Sequence, residues 1–284
     1  MAVFYNQATL SYNNTTVSSN IVSGEIIGVL SAAKTAVSDA YSPGEILTYV
    51  VSLVNGGSTA LNGLTITDDL GTYTFEGEEL VPLTYVDGSA RLFINGVLST
   101  APVETQPAPA PLTGVQFLNI TVPAEGNVVL VYQAAANEFA SPEAGSSITN
   151  TATVSGTGVT DVTASAEVPA ENEAILSISK SLTPAQVAEN EQITYTFIIQ
   201  NTGNTAEDQA VITDTFDPVL SDIKVTVNGE TAPASAYSYN ETTGLFTTTA
   251  GAFSVPAASF TRDSTTEAFL TVPGTTVVTV TGTI

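Results

Sequence analysis

Runs of Val, Ile, Thr, Tyr and Phe alternate with small polar residues along most of the chain, and Gly, Pro and Asn break them at intervals of about eight to twelve residues. A period of two puts successive side chains on opposite faces of a strand, so the pattern predicts many short antiparallel strands, each with one face buried. No window carries a helical period, and Ser and Thr are abundant where a helix would favour Ala, Glu or Lys. The expected fold class is all-β, built as sandwiches.

The chain also repeats itself. Leu30 to Asp68 matches Leu176 to Asp214 without a gap, pairing Lys34 with Lys180, Tyr49 with Tyr195, Asn55 with Asn201 and Asp68 with Asp214 at a constant offset of 146 residues. Further on, Ile94-Asn95-Gly96 resembles Val227-Asn228-Gly229, and Ile120 to Gln133 resembles Leu270 to Ile284. Pro107 to Pro111 reads as a stiff surface loop of the first copy. The first copy continues to a strand from Ile148 to Val154 (ITNTATV) that has no counterpart at the end of the second. A similar strand, Phe4 to Leu10 (FYNQATL), precedes the first copy, with Asn6 on Asn150, Ala8 on Ala152 and Leu10 on Val154. From Asn6 to Lys34 is 28 residues, and from Asn150 to Lys180 is 30. The expected organisation is a donor-strand segment and linker at 1–27, a first sandwich at 28–168 and a second, incomplete sandwich at 169–284 that accepts a donor strand.

Composition narrows the chemistry. The chain has 284 residues, 5 basic against 28 acidic side chains, a formal charge of −23, and no Cys, His or Trp. That excludes a Ser/His or Cys/His nucleophile pair, an ordinary zinc site and a disulfide framework. So few cations cannot neutralise a phosphate backbone or an anionic membrane, so neither nucleic acid nor membrane insertion is expected. No apolar run approaches the length of a spanning helix, and Met1 to Leu10 has neither the basic start nor the apolar core of a classical signal peptide. No cofactor and no metal are expected.

Strand parity supplies the candidate site. Leu30, Ala32 and Lys34 share a face, as do Leu64, Ile66 and Asp68; the second copy repeats this with Leu176, Ile178, Lys180 and Leu182 and with Ile212, Asp214 and Phe216. Lys34 and Lys180 therefore point into a core, where a charge must be paired, neutralised or consumed. Desolvation lowers a lysine pKa and raises an aspartate pKa, so a buried pair can become neutral amine and neutral acid. That state permits an isopeptide bond: the amine attacks an Asn side-chain carbonyl, the acid polarises it and shuttles protons, and ammonia leaves. The first trio is Lys34, Asp68 and Asn150. The second is Lys180, Asp214 and an Asn missing from the second copy, which Asn6 of a neighbouring subunit would supply. The simpler alternative is a buried Lys–Asp salt bridge with Asn beside it. Asn55 and Asn201 compete for the Asn role, but each precedes a Gly-containing turn and reads as a local turn residue.

The order of Lys, an alternating strand with Tyr, Asn201-Thr202-Gly203, and the Ile-Thr-Asp of Ile66-Thr67-Asp68 and Ile212-Thr213-Asp214 resembles the bacterial conserved-repeat family known as domain of unknown function eleven. The first copy departs from it at Asn55-Gly56-Gly57. The resemblance implies immunoglobulin-like sandwiches and a place in surface proteins or the fibrous appendages of clostridial spores. The expected fold is thus two tandem immunoglobulin-like β-sandwich domains, the second lacking its last strand, with an N-terminal donor strand.

A sandwich with an open edge accepts a strand by main-chain pairing and side-chain pockets. Phe4, Asn6, Ala8 and Leu10 lie on one face, in the parity of Ile148, Asn150, Ala152 and Val154. Donation to a neighbour gives a linear homopolymer whose only required partner is the chain itself. The expected function is a structural subunit of an extracellular or spore-surface filament, locked by Lys–Asn bonds within and between subunits, with no enzyme activity beyond that self-directed reaction. The alternatives are a monomeric, self-complemented surface adhesin and a calcium-dependent binding module. Asp68 with Asp69, or Glu78 with Glu79, do not form the opposed acids of a glycosidase, since sequence neighbours in a strand point to opposite faces.

Overall fold

The computed structural model describes residues 2–26 and 28–284. The chain forms two compact units, Met1–Asn137 with Ile148–Val168, and Glu138–Ser147 with Pro169–Ile284. Glu138–Ser147, assigned to the first sandwich by the repeat, groups with the second unit. Its backbone bonds there through Phe269 N–H to Glu138 O, Ala170 N–H to Ser146 O and Asn204 Nδ2 to Pro142 O.

The first unit is a sandwich of two antiparallel sheets. One runs Val97–Leu98, Arg91–Ile94, Asn127–Ala136, Ile46–Asn55, Leu30–Ala36, with Leu83–Tyr85 also on Asn127–Ala136; the other runs Glu104–Pro107, Val115–Val122, Leu61–Asp68, Ser147–Ser155, Val162–Pro169. Alternation in sequence becomes alternation in burial: Leu47, Tyr49, Val51 and Leu53 face inward from one sheet, and Leu64, Ile66, Phe117 and Ile120 from the other. Gly114 has φ +99°, and a Cβ there would lie 1.9 Å from Asp68 O. Its lack of a side chain lets Val115 pair with Asp68 and hold that aspartate's backbone in the sheet.

In the second unit the Leu176–Thr183, Gln192–Asn201, Gly274–Thr283, Ser221–Val227 and Glu230–Thr231 strands form the first sheet. The facing sheet has three short strands, Thr213–Thr215, Leu245–Thr248 and Tyr237–Tyr239. The core between them includes Tyr195, Phe197, Phe216, Phe246, Val278 and Val280. Phe269–Val272 pairs with Ser259–Arg262 in a separate hairpin. Its sequence likeness to the end of Val115–Val122 is therefore not a structural equivalence: Val122 pairs with Leu61, and Glu207, 146 residues beyond Leu61, bridges Val255.

In the first unit Leu61–Asp68 is bordered by Val115–Val122 and by Ser147–Ser155. In the second, Thr213–Thr215 pairs with Leu245–Thr248, and among the described residues no strand pairs with its other edge. Among the described residues, the strands of the N-terminal segment pair only with one another. Ala2–Asn6 pairs with Val22–Ile26 and Thr9–Tyr12 with Thr15–Ser18, around a turn at Asn13 and Asn14 whose φ angles are 44° and 60°. Two successive positive φ values make a type I′ connection, which asparagine tolerates.

Candidate crosslinking site

Lys34, Asp68 and Asn150 meet between the two sheets of the first unit, each buried. They come from three strands far apart in sequence, and the common inward parity brings them together. Lys34 Nζ lies 2.6 Å from Asp68 Oδ2, with both side chains fully shielded from solvent. Burial holds the Lys34 amine below the ordinary lysine pKa, because desolvation outweighs the opposing attraction of Asp68. The ammonium is further surrounded by the Tyr49 and Tyr132 rings, 5.1 and 5.9 Å from the two centroids.

Tyr132 completes the cluster. Its hydroxyl donates to Asp68 Oδ2 at 2.5 Å and accepts from Asn150 Nδ2 at 3.3 Å, so a chain of hydrogen bonds runs from amine to carboxylate to phenol to amide. Burial, and after it the Asp68 charge, push the Tyr132 phenol well above its usual pKa and keep it a proton donor. Asn150 Oδ1 is buried with no hydrogen-bond partner, an arrangement that carries a desolvation cost. Sequence reasoning did not single out Tyr132. Its counterpart by strand register is Val280, since Tyr132 pairs with Tyr49 and Val280 with Tyr195. Only its inward parity with Val128 and Leu130 marks it in the sequence.

Asp69, facing away, accepts Thr151 N–H and Gly71 N–H at 2.8 Å each. These contacts and the pairing of Ala152 with Asp68 place Asn150 beside the aspartate. Burial raises the Asp69 carboxyl, opposed by those two backbone donors.

In the second unit Lys180 Nζ donates to Asp214 Oδ2, and Lys180 lies over the Tyr195 ring at 4.6 Å from its centroid. Lys180 does not point into a closed core as its parity predicts. Lys180 shares a face with the core residues but is not enclosed: its side chain is 40% exposed, because no strand covers that face among the described residues. Leu176, Ile178 and Leu182 are exposed with it. Among the described residues, no Asn side chain accompanies this pair in the way Asn150 accompanies the first.

Asn6 belongs to neither cluster; it lies in the N-terminal hairpin opposite Val22, with Phe4 on the same strand, Leu10 on the next strand, Thr9–Tyr12, and Ala8 between the two, all three exposed. Asn55 and Asn201 are turn residues. Asn55 Nδ2 donates to Thr59 O and Pro123 O while its Oδ1 accepts Gly57 N–H, and Asn201 repeats this with Thr205 O and Gly203 N–H. Glu78 and Glu79 are exposed on a short hairpin. Among the described residues, no His, Cys, Asp or Glu side chains group to hold a metal, and no helix is long and apolar enough to cross a membrane.

The fold and this site define a protein of tandem immunoglobulin-like sandwiches, with a complete Lys–Asp–Asn cluster in one and a partial cluster in the other. No family model matches the chain, and no curated protein matches it. Solved structures with a similar fold include a C-terminal fragment of the major pilin of Streptococcus agalactiae, at 10% identity and TM-score 0.37, over 86% of this chain and 79% of that one. The major pilin subunit of Bacillus cereus is similar at 12% identity and TM-score 0.36, over 96% and 73%. The collagen-binding subdomain of an Enterococcus faecalis surface protein matches at 8% identity and TM-score 0.33, over 51% and 99%. Likeness at this level carries no argument about function.

Proposed function

We propose that this protein is the structural subunit of a bacterial surface or spore filament, in which the open edge of each second sandwich receives the N-terminal segment of the next subunit. The observation that carries the reading is the half-built site at Lys180. The same lysine and aspartate are closed over by an asparagine strand in the first unit, and lie exposed beside an unpaired strand edge in the second. The N-terminal segment offers Asn6 with the parity of Asn150 and within two residues of its spacing to the following lysine. Burying Phe4 and Leu10 on docking contributes about 3–6 kcal/mol.

The proposed chemistry is an amide exchange. Neutral Lys34 Nζ attacks Asn150 Cγ, Asp68 hydrogen-bonds the carbonyl oxygen and carries a proton from the attacking amine to the leaving nitrogen, and the C–N bond to the original amide breaks. The products are a Lys–Asn amide and one ammonia. Lys180, Asp214 and Asn6 of the next subunit repeat the reaction once docking has enclosed them. The resemblance to the domain of unknown function eleven family directs the reading towards spore appendages and other surface fibres.

Deleting Met1 to Tyr12 is the direct test, read by electron microscopy of the purified protein. Wild type should form thin unbranched filaments and the truncated chain none; identical fibres from the truncated chain would sink donor-strand assembly.

A further inference from the structure

We infer that the element donated between subunits is a preformed two-stranded hairpin, residues 2–26, rather than the single strand Phe4–Leu10. The inference rests on the filament reading and specifies its partner surface.

The first unit shows what the open edge of the second is built to hold. On one side of Leu61–Asp68 lie two successive strands, Ser147–Ser155 and, beyond it, Val162–Pro169, and among the described residues neither has a counterpart beside Thr213–Thr215. The N-terminal segment has the same two-strand form. Ser19 lies beside Gln7 and Ala8, bonding Gln7 Nε2 through its carbonyl and Ala8 N–H through its hydroxyl. Thr151 and Ser165 are likewise hydroxyl-bonded neighbours across the first unit's pair. Counting back 146 residues from Ser165 gives Ser19, and the Asn6-on-Asn150 match gives Gln7 for Thr151. The two-residue difference in the Asn-to-Lys spacing therefore falls in the turn, which is shorter in the N-terminal hairpin.

The hairpin is amphipathic. Asn6 pairs with Val22 and Leu10 with Val17, and the second strand holds one extra residue between those pairs, so Phe4, Asn6, Ala8 and Leu10 keep a common face. That face carries Phe4, Ala8, Leu10, Val17 and Val22 around Asn6, all exposed. A two-stranded ribbon with an uncovered apolar face is marginal in water and needs a third strand or a packing surface. The Leu176–Thr183 strand and the free edge of Thr213–Thr215 provide both, around the partly exposed Lys180–Asp214 pair. Charge favours the same occupant: residues 1–27 hold a single acidic side chain, Glu25, of the 28 in the chain. The hairpin can therefore approach a neighbour of charge −23 with little repulsion.

The test uses full-length chains and filament growth followed by light scattering. Asn14→Pro breaks the turn, because proline cannot adopt φ 60°, while Asn13→Gly with Asn14→Gly keeps it. The proline variant should grow at least tenfold more slowly and the glycine variant at the wild-type rate. The chain has no native cysteine, so Thr9→Cys with Ser18→Cys gives one possible disulfide, on the polar face between paired residues. Oxidation should leave growth unchanged or faster. A proline variant growing at the wild-type rate, or oxidised chains that fail to assemble while their reduced form does, would show that a single strand is donated and overturn the hairpin. Wild-type chains that form no filaments would overturn the filament reading itself, and the inference with it.

Discussion

The two lysine strands have nearly the same sequence register and opposite environments. Leu30–Ala36 buries Leu30 and Lys34, whereas every residue of Leu176–Thr183 is exposed, Ile178 to 58%. Neither the pairing of each strand with its inner neighbour nor the contact of its lysine with aspartate differs. What differs is the covering pair of strands on the facing sheet. Burial of a sandwich edge is thus decided by the opposite sheet, and the same lysine–aspartate contact is desolvated in one unit and exposed in the other.

The largest expected effect separates covalent from noncovalent assembly at the second site. Wild-type filaments should run as a ladder, or fail to enter a denaturing gel after boiling, and Asn6→Ala or Lys180→Ala should reduce that ladder to monomer. Both variants can still form weaker fibres, since Phe4, Ala8 and Leu10 remain. Wild-type fibres that boil fully to monomer, with no peptide joining the Asn6 and Lys180 segments by mass spectrometry, would leave the two sites chemically unlike.

At the first site, the intact denatured subunit should be lighter than its sequence by one ammonia, and Asp68→Ala should restore the missing mass. Loss of a crosslink closing so long a loop costs about 4–5 kcal/mol by chain-entropy reasoning, readable as a fall in the unfolding midpoint. Tyr132→Phe is a gentler probe of the same asymmetry. It removes the hydroxyl that touches both Asp68 and Asn150, and the ammonia loss should be slower in fresh preparations; an unchanged rate would restrict Tyr132 to packing.

Ile178→Ser should weaken filament assembly by about 1.5–3 kcal/mol while leaving the isolated subunit's unfolding midpoint nearly unchanged, because the side chain is buried only on docking. A midpoint that falls as far as assembly does would mean that the strand is already covered in the monomer.

The smallest effect is one of pH. With Asn150→Ala no crosslink forms and Lys34 keeps a titratable amine. Its folded pKa lies below the ordinary 10.5, so between the two values the unfolded chain binds more protons and stability rises with pH. Below the folded pKa the penalty for the buried ammonium is fully present. Subtracting the profile of the Asn150→Ala, Lys34→Met double variant isolates this rise from the tyrosines, and a flat difference would place the amine in contact with solvent.

A good deal of this protein was legible in its residues. The period-two alternation specified strands, because a half-buried strand must alternate whatever it packs against. The 146-residue repeat located Lys34 with Lys180 and Asp68 with Asp214, and parity assigned each to an inward face. Asn150 is placed on an inward face by its strand's alternation, and the structure buries it. The glycines beside Asn55 and Asn201 mark both as turn residues, and their side chains bond local backbone accordingly.

Other features required the tertiary structure, since they depend on which strands lie across from one another. Tyr132 reads as an ordinary core aromatic until the facing sheet brings Asp68 and Asn150 to its hydroxyl. The exposure of Lys180 follows from the strands missing opposite it, and no local pattern reports that. The N-terminal segment reads as one strand because its second half, Thr15 to Ile26, is poor in contrast between faces, with a bulge that breaks its alternation. Pairing with the first half reveals it as a hairpin. Periodicity is written in a strand's own residues, but enclosure and proximity are properties of pairs of strands, and those are settled only when distant parts of the chain pack.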